Sequence, residues 1–192
     1  PEWLECYSAG IFTEFMEQRA PGHTVADDKI YKKGFRDFKA EIEAELQGLD
    51  YLDDPQALNK AAQLEAMSIC CDAIMILAGR YAEEAEKMAQ SAEDDARRQE
   101  LLEIAAVCRK VPANKPETFR EALQAYWFVH VTVISELNNW DSFNPGRLDQ
   151  LLFPFYEKEL AAGTLTREAA KELLQCFWIK FNNQPAPPKV GI

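Results

Sequence analysis

The chain has 192 residues, of which 47% are hydrophobic, enough for one domain with a substantial core. Its net charge of −11, with no basic stripe to offset it, argues against non-specific nucleic-acid binding. No secretory pattern opens the sequence and no apolar run is long enough to span a bilayer, so we expect no membrane partner.

The cysteines predict a reducing environment. Their number is odd, none belongs to a CxxC pair, and four of the five lie in apolar helical patterns. Because a free cysteine behaves as a small hydrophobic residue, we expect reduced core thiols in a cytoplasmic protein. The five are Cys6, Cys70, Cys71, Cys108 and Cys176.

The first predicted helix is amphipathic and covers residues 3–18. It ends at the turn of residues 19–24, where Pro21 and Gly22 separate Arg19 from His23. In one interpretation, Arg19 is a cation placed favourably at a helix C-terminus. In the other, the guanidinium and the imidazole form a clamp for an anion or a polar substrate.

Two longer helices follow this turn. Asp27 or Asp28 can cap the first of them, which runs to about residue 49 with one apolar and one charged face. Pro55 opens the second, because a proline costs little in a first helical turn. Residues 69–78 are apolar nearly all round, so we expect them to be buried on most sides. The charge-rich residues 83–103 predict an exposed helical face.

The most hydrophobic part of the chain is residues 119–137, which follow a proline-containing linker at residues 109–117. Thr118 can cap this helix, which we expect to be central and buried. His130 lies within it. A lone histidine in an apolar helix is usually a hydrogen-bonded core residue, and we prefer that interpretation to a catalytic role.

A polar break at residues 138–150 interrupts the helices, yet it contains Trp140 and Phe143. Such a segment is either a buried turn or one wall of a small-molecule site. Asn144 can cap the helix that follows, with Pro145 at its first position.

Thr166 can cap the last helix, which runs to residue 181 and ends in the polar, proline-rich residues 182–188. The apolar run at residues 189–192 predicts a strand that enters a core and is cut in mid-course. We therefore expect this chain to be a piece of a longer polypeptide.

Several common chemistries leave no pattern in the sequence. Neither of the glycine-rich phosphate loops, GxGxxG and GxxxxGK[ST], occurs. No HExxH motif and no paired Cys/His spacing predicts a metal site, and neither histidine has a GxSxG partner for a catalytic triad.

Three stretches occur in one order and carry a family resemblance: RAPGHT at residues 19–24, FREALQAYWFVH at residues 119–130 and NPGRLDQ at residues 144–150. Together with FNNQPAPPKVG at residues 181–191, they resemble the pyruvate formate-lyase-like domain of the glycyl radical enzymes. The resemblance covers essentially the whole chain and favours the lyase, decarboxylase and dehydratase branches. It implies that residues 1–192 are part of a single domain, truncated at both ends.

The resemblance implies a fold that is mainly α over this chain, as the helical portion of a larger ten-stranded α/β barrel. In the family, a glycyl radical takes hydrogen from a cysteine, and the thiyl radical then takes hydrogen from the substrate. A partner enzyme using S-adenosylmethionine and an iron–sulfur cluster installs the radical. Neither the Cys-x-Glu motif nor the Arg-Val-x-Gly-Tyr motif is present, so we expect no catalytic residue, metal or directly bound cofactor in this segment.

The resemblance also implicates five residues in substrate binding. Arg19 fits a sulfonate or carboxylate through paired hydrogen bonds, and His23 fits a hydroxyl. Ser142 is expected to donate to a substrate oxygen, and Phe143 to keep solvent from the radical, with Trp140 in the same wall.

An anion and a hydroxyl on one small molecule favour a hydroxyalkyl-sulfonate sulfite-lyase, which cleaves a C–S bond. Arylacetate decarboxylase, diol or glycerol dehydratase and formate acetyltransferase are the alternatives within the family, with C–C or C–O bonds as targets. The full-length protein would be a homodimer in the cytoplasm or inside a bacterial microcompartment. A non-catalytic helical scaffold is the alternative from another class.

Overall fold

The computed structural model describes residues 2–9, 27–136 and 145–183, and in these ranges all regular secondary structure is helical. The helices are α1 (Glu2–Ser8), α2 (Lys29–Lys32), α3 (Phe35–Gln47), α4 (Ala57–Gln90), α5 (Asp95–Lys110), α6 (Phe119–Glu136), α7 (Leu148–Ala162) and α8 (Arg167–Asn183). The mainly α class predicted for this chain is confirmed for that part. Residues 10–18 of the predicted first helix, and the predicted strand at 189–192, lie outside the described residues.

Helix α6 is the centre of the fold, as predicted. It packs against α2, α4, α5, α7 and α8. Tyr126 is fully buried, Phe128 is 1% exposed and Trp127 only 8% exposed. Burying each large side chain of this kind stabilises the fold by about 1.5–3 kcal/mol, so α6 makes a large apolar contribution to folding.

The first turn of α6 is capped from two directions. Thr118 Oγ1 accepts a hydrogen bond from Glu121 N at 3.2 Å, and the Glu121 carboxylate accepts from Thr118 N at 3.3 Å. This reciprocal pair is a capping box, and it confirms the cap predicted at Thr118. Glu159 of α7 accepts from Phe119 N, and Lys110 of α5 pairs with Glu121 at 3.0 Å. These bonds fix the start of α6 against both neighbours.

Gly34 separates α2 from α3, so the single helix predicted over residues 28–49 is wrong. The N–H group of Phe35 donates to the Pro112 carbonyl at 2.9 Å, and that of Arg36 donates to the Ala113 carbonyl at 3.1 Å. The turn after α5 thus supplies acceptors to N–H groups that have no partner within their own helix. A Cβ on Gly34 would overlap the backbone of this turn. Helical periodicity gives no sign of such a backbone approach.

Helix α4 is the longest, and its two faces differ. The side chains on its buried face are mostly small: Ala57, Ala61, Cys71, Ile74, Ala78, Ala82, Ala85 and Ala89. On the opposite face, Ile69 is 68% exposed and Ile76 is 60% exposed. The prediction that residues 69–78 are buried on most sides is therefore wrong, because α3 and α5 pack along the alanine-rich face.

By length and composition, α4 would suffice to cross a bilayer, contrary to the expectation from sequence. Within the described fold its flanks carry ion pairs to neighbouring helices. Asp72 pairs with Lys39 of α3 at 2.6 Å, and Glu86 pairs with Arg109 of α5 at 2.8 Å. Contacts of this kind are typical of a surface helix in a globular protein.

The cysteines are only partly where the sequence predicts them. Cys71 and Cys108 are buried, Cys6 is half-buried, and Cys70 and Cys176 are exposed, with no disulfide among them. Burial was expected for four of the five. Consecutive helical residues point about 100° apart, so an apolar stretch that lies on the surface buries one cysteine and exposes its neighbour.

Two further boundaries differ from the sequence pattern, and one agrees with it. The charged stretch at residues 83–103 is split, because Asp94 caps α5 through the N–H groups of Ala96 and Arg97. Helix α7 begins three residues later than predicted, because Gly146 has a positive φ of 64° that a helix cannot contain. Asn144 lies outside the described residues. The cap at Thr166 is confirmed, since its hydroxyl accepts from Ala169 N at 3.1 Å.

Candidate functional site

The five residues predicted to contact substrate all lie outside the described part of the chain: Arg19, His23, Trp140, Ser142 and Phe143. Their roles stay predictions. The helices that adjoin them in sequence are described. Helix α2 follows the 19–24 turn, α6 ends ahead of the 138–143 segment, and α7 begins after it.

The two helices next to these segments touch each other. Helix α2 packs against α6, with Ile30 only 2% exposed and Tyr31 8% exposed. Helix α2, which follows the 19–24 turn in sequence, and helix α6, which precedes the 138–143 segment, therefore share one core. This contact joins parts of the chain that are about a hundred residues apart in sequence.

A polar pair lies within this apolar core. The Tyr126 hydroxyl is 3.1 Å from His130 Nδ1, one helical turn along α6. The imidazole stacks on the Trp127 ring at 5.3 Å between centroids and meets the edge of Phe181 at 4.7 Å. His130 is 4% exposed, and this burial lowers its pKa to about 4. The histidine is thus neutral and hydrogen-bonded, which confirms the core role predicted for it.

Tyr31 adds a third polar group to the same core. Its hydroxyl is buried and, among the described residues, has no hydrogen-bond partner. Burial raises the pKa of Tyr31. Burial, and secondarily the neighbouring Tyr31, raises the pKa of Tyr126, so both phenols keep their protons. Helical periodicity does not single out Tyr31, because it marks apolar positions and carries no signal for a buried hydroxyl.

An open groove of about 690 Å³ lies between α5, the first half of α6 and α8. Its floor includes Leu123, Trp127 and Phe177. The arginines in its wall already have partners: Arg97 pairs with Glu100 at 2.8 Å, and Arg120 with Glu103 at 2.9 Å. Its last α6 residue is Trp127, nine residues or about 14 Å before the end of that helix.

The buried thiols are unreactive. Burial raises the pKa of Cys108 to about 11 and also raises the pKa of Cys71, so both stay protonated at neutral pH. Within the described ranges, no three His, Cys, Asp or Glu side chains are grouped so that they could hold a metal ion. The pair formed by Arg147 and Asp149 at 3.3 Å is exposed at the start of α7.

A family model described as "Pyruvate formate lyase-like" matches residues 1–192. Solved structures with this fold include a glycyl radical enzyme from Archaeoglobus fulgidus, with 37% identity and a TM-score of 0.77 over 88% of this chain and 22% of that chain. The chain belongs to the pyruvate formate lyase-like family, that of the glycyl radical enzymes.

Among individual proteins, the chain is 62% identical to trans-4-hydroxy-L-proline dehydratase of Clostridioides difficile, over 100% of this chain and 24% of the relative. The crystal structure of hydroxyproline dehydratase from that organism, with substrate bound, matches with a TM-score of 0.86 over the same shares. Isethionate sulfite-lyase of Nitratidesulfovibrio vulgaris is 40% identical over 79% of this chain and 18% of the relative. The chain thus spans about a quarter or less of the length of these relatives.

Proposed function

We propose that the full-length protein is a glycyl radical dehydratase that removes water from a hydroxylated amino acid of the trans-4-hydroxy-L-proline kind. The observation that carries the proposal is the 62% identity to the hydroxyproline dehydratase over every residue of this chain. Identity to the isethionate sulfite-lyase is 40% and extends over 79% of the chain. The sulfite-lyase that the sequence favours is therefore the second candidate.

The substrate chemistry agrees with the two side chains of the 19–24 turn. A hydroxylated imino acid carries a carboxylate for the Arg19 guanidinium and a hydroxyl for the His23 imidazole. In this proposal Ser142, Phe143 and Trp140 also face the substrate, and the aromatic rings exclude water. In the net reaction the C–O bond breaks, the hydroxyl leaves with a proton as water, and no external oxidant or reductant is consumed.

The proposal includes the remaining parts of the family's apparatus. The described helices form the outer portion of a ten-stranded barrel, and the full-length chains pair as a cytoplasmic homodimer. A glycyl radical, installed by an activating enzyme with S-adenosylmethionine and an iron–sulfur cluster, supplies hydrogen abstraction when present. This chain's residues bind and orient the substrate and keep it dry.

The first experiment is a comparison of substrates under anaerobic conditions with the activated full-length protein. We expect consumption of trans-4-hydroxy-L-proline, with little turnover of isethionate or glycerol. Sulfite release from isethionate without loss of hydroxyproline would replace the dehydratase by the second candidate. If no radical forms and nothing is turned over, the helical scaffold is the better description. The presence of the Cys-x-Glu and glycine motifs in the sequence downstream of residue 192 would argue against a non-catalytic scaffold.

The second experiment tests the anion contact. Losing a charged hydrogen-bond partner costs about 1.5–3 kcal/mol, so Arg19→Ala should raise KM for an anionic substrate at least about tenfold. The matched control is Arg147→Ala, because Arg147 is an exposed arginine that pairs with Asp149. Unchanged kinetics in Arg19→Ala would remove Arg19 from the site and leave the choice of an anionic substrate without support.

A further inference from the structure

The side of α4 opposite its alanine-rich buried face is exposed and mainly apolar. Ile69 is 68% exposed and Ile76 is 60% exposed, and successive side chains along this side lie within about 40° of one another around the helix. An exposed apolar surface that continues over several helical turns indicates a contact with another surface. We call this side the outer face of α4, and all its residues are exposed: Ala62, Ala66, Ile69, Ala73, Ile76 and Arg80.

The spacing of the outer face indicates a helix as its partner. Its six residues, from Ala62 to Arg80, follow one another at alternating intervals of four and three. These intervals keep side chains in line along one side of a helix, and they are the intervals at which two helices pack side by side at a shallow angle.

Two charged side chains mark the ends of the apolar part. Glu65 lies near its start and Arg80 at its end, and no ion pair within the described ranges includes either of them. The other charges of α4 have partners: Lys60 pairs with Asp54, Asp72 with Lys39, Lys87 with Glu84 and Glu86 with Arg109, and Glu83 lies near Arg109. Glu65 and Arg80 therefore stand out as a separated pair of opposite charges on one side of the helix.

A second copy of α4, packed antiparallel, matches this face side chain by side chain. With the twofold axis level with residue 71, Ile69 lies opposite the partner subunit's Ala73. In the same register, Ile76 lies opposite the partner subunit's Ala66. Each large side chain thus meets a small one, which is the condition for close packing of two helices. The twofold axis repeats both contacts.

The charges match in the same register. Arg80 lies opposite the partner subunit's Ala62, and the partner subunit's Glu65 is three residues or about 4.5 Å further along the helix axis. An arginine side chain is long enough to reach it. Because of the twofold symmetry, two such ion pairs form, one at each end of the contact.

Other pairings of the same face lose this match. In a parallel pair, Arg80 would lie beside the partner subunit's Arg80, and like charges disfavour that arrangement. An antiparallel register shifted by seven residues would place Arg80 on the partner subunit's Ile69, where the guanidinium would lose water without gaining an ion pair. The outer face is thus complementary to itself in one orientation and register.

We propose that the outer face of α4 is an interface between two copies of this protein, packed antiparallel about a twofold axis level with residue 71. Ion pairs between Glu65 of one copy and Arg80 of the other fix the register. The inference rests on the homodimer in the proposed function and gives it a contact surface. It is independent of the substrate.

The first test measures dimer affinity in the full-length protein by sedimentation velocity over a series of concentrations. Ile76→Glu should raise the dimer Kd at least about tenfold, because each copy would bury a carboxylate without a partner. The matched control is Leu52→Glu, which adds the same charge at a turn residue that is 95% exposed and lies outside α4. The control should leave the Kd unchanged. An unchanged Kd in Ile76→Glu would overturn the proposal.

A charge exchange tests the register. Arg80→Glu should raise the Kd about threefold to tenfold, because two attractive contacts become repulsive. Adding Glu65→Arg should restore the affinity, because the opposite charges then face each other in reversed order. An Arg80→Glu protein that the second substitution does not rescue would overturn the register. These exposed residues also keep the proposal testable if Ile76→Glu fails to fold.

The outcomes separate this inference from the proposed function. If another part of the same polypeptide covers the outer face, Ile76→Glu lowers the urea midpoint of the dilute monomer and leaves the dimer Kd unchanged, which overturns the interface. A dimer that none of these variants weakens leaves the homodimer in place and overturns only its location on α4. A monomeric protein contradicts both, and turnover of trans-4-hydroxy-L-proline still decides the dehydratase.

Discussion

Replacing Gly34 with alanine should destabilise this fold by about 2–5 kcal/mol. The new Cβ would overlap backbone atoms of the 112–114 turn, which cannot rotate away as a side chain can. Helix α3 must then move, and the bonds from Phe35 N to Pro112 O and from Arg36 N to Ala113 O weaken. Each backbone bond contributes about 0.5–1.5 kcal/mol, and steric strain in a packed site adds about 1–3 kcal/mol. The lower entropy of the unfolded alanine chain offsets about 0.4–1 kcal/mol of this.

Gly79 provides the matched control, since it lies inside α4 and a Cβ there would meet nothing within 4 Å. Alanine in a helix interior is favoured over glycine by about 0.5–1 kcal/mol, so Gly79→Ala should stabilise the same protein. Urea unfolding followed by far-UV circular dichroism measures both changes. The two substitutions should shift the midpoint in opposite directions. A Gly34→Ala protein as stable as the parent would refute the close approach of Gly34 to the 112–114 turn and the contribution of the hydrogen bonds beside it.

Two more outcomes follow from burial. Burial lowers the pKa of His130 to about 4 in the fold, against an ordinary value of 6.5 in the unfolded chain, so the unfolded chain binds its proton first as the pH falls. The free energy of unfolding should therefore fall as the pH drops below 6.5. At about pH 5 the loss should be about 2 kcal/mol relative to a His130→Asn variant, as measured by urea midpoints. A pH dependence equal to that of the variant would contradict this. In the native protein, a thiol-specific alkylating reagent should modify the exposed Cys70 and Cys176 and spare the buried Cys71 and Cys108, with mass spectrometry as the readout, and early labelling of Cys108 would contradict the described core.

Local signals in the sequence predicted the parts of this fold that depend on neighbouring residues. The capping box at Thr118 and the cap at Thr166 need only a hydroxyl and the turn that follows it. The burial of α6 follows from the concentration of large apolar side chains along it. These features are encoded within a few residues, so the pattern is sufficient.

The errors arise where distant parts of the chain meet. Gly34 ends a helix because a turn almost eighty residues later contacts its backbone, and helical periodicity contains no record of that turn. The exposure of Ile69 depends on which side of α4 its neighbours cover. The cluster with Tyr31 likewise forms only when α2 packs on α6. The residues predicted to bind substrate lie outside the described ranges, so for that site the family resemblance remains the source of the residue assignments.

The spacing of the large exposed side chains on α4 limits which surfaces can pack against this face. Leu58 and Ile76 are both exposed on this face, and at 1.5 Å per residue they are about 27 Å apart. Ile69 and Ile76 project two turns apart, about 10 Å, with the smaller Ala66 and Ala73 between and beside them. Any surface that covers this face therefore needs two hollows about 10 Å apart to take up the two isoleucine side chains.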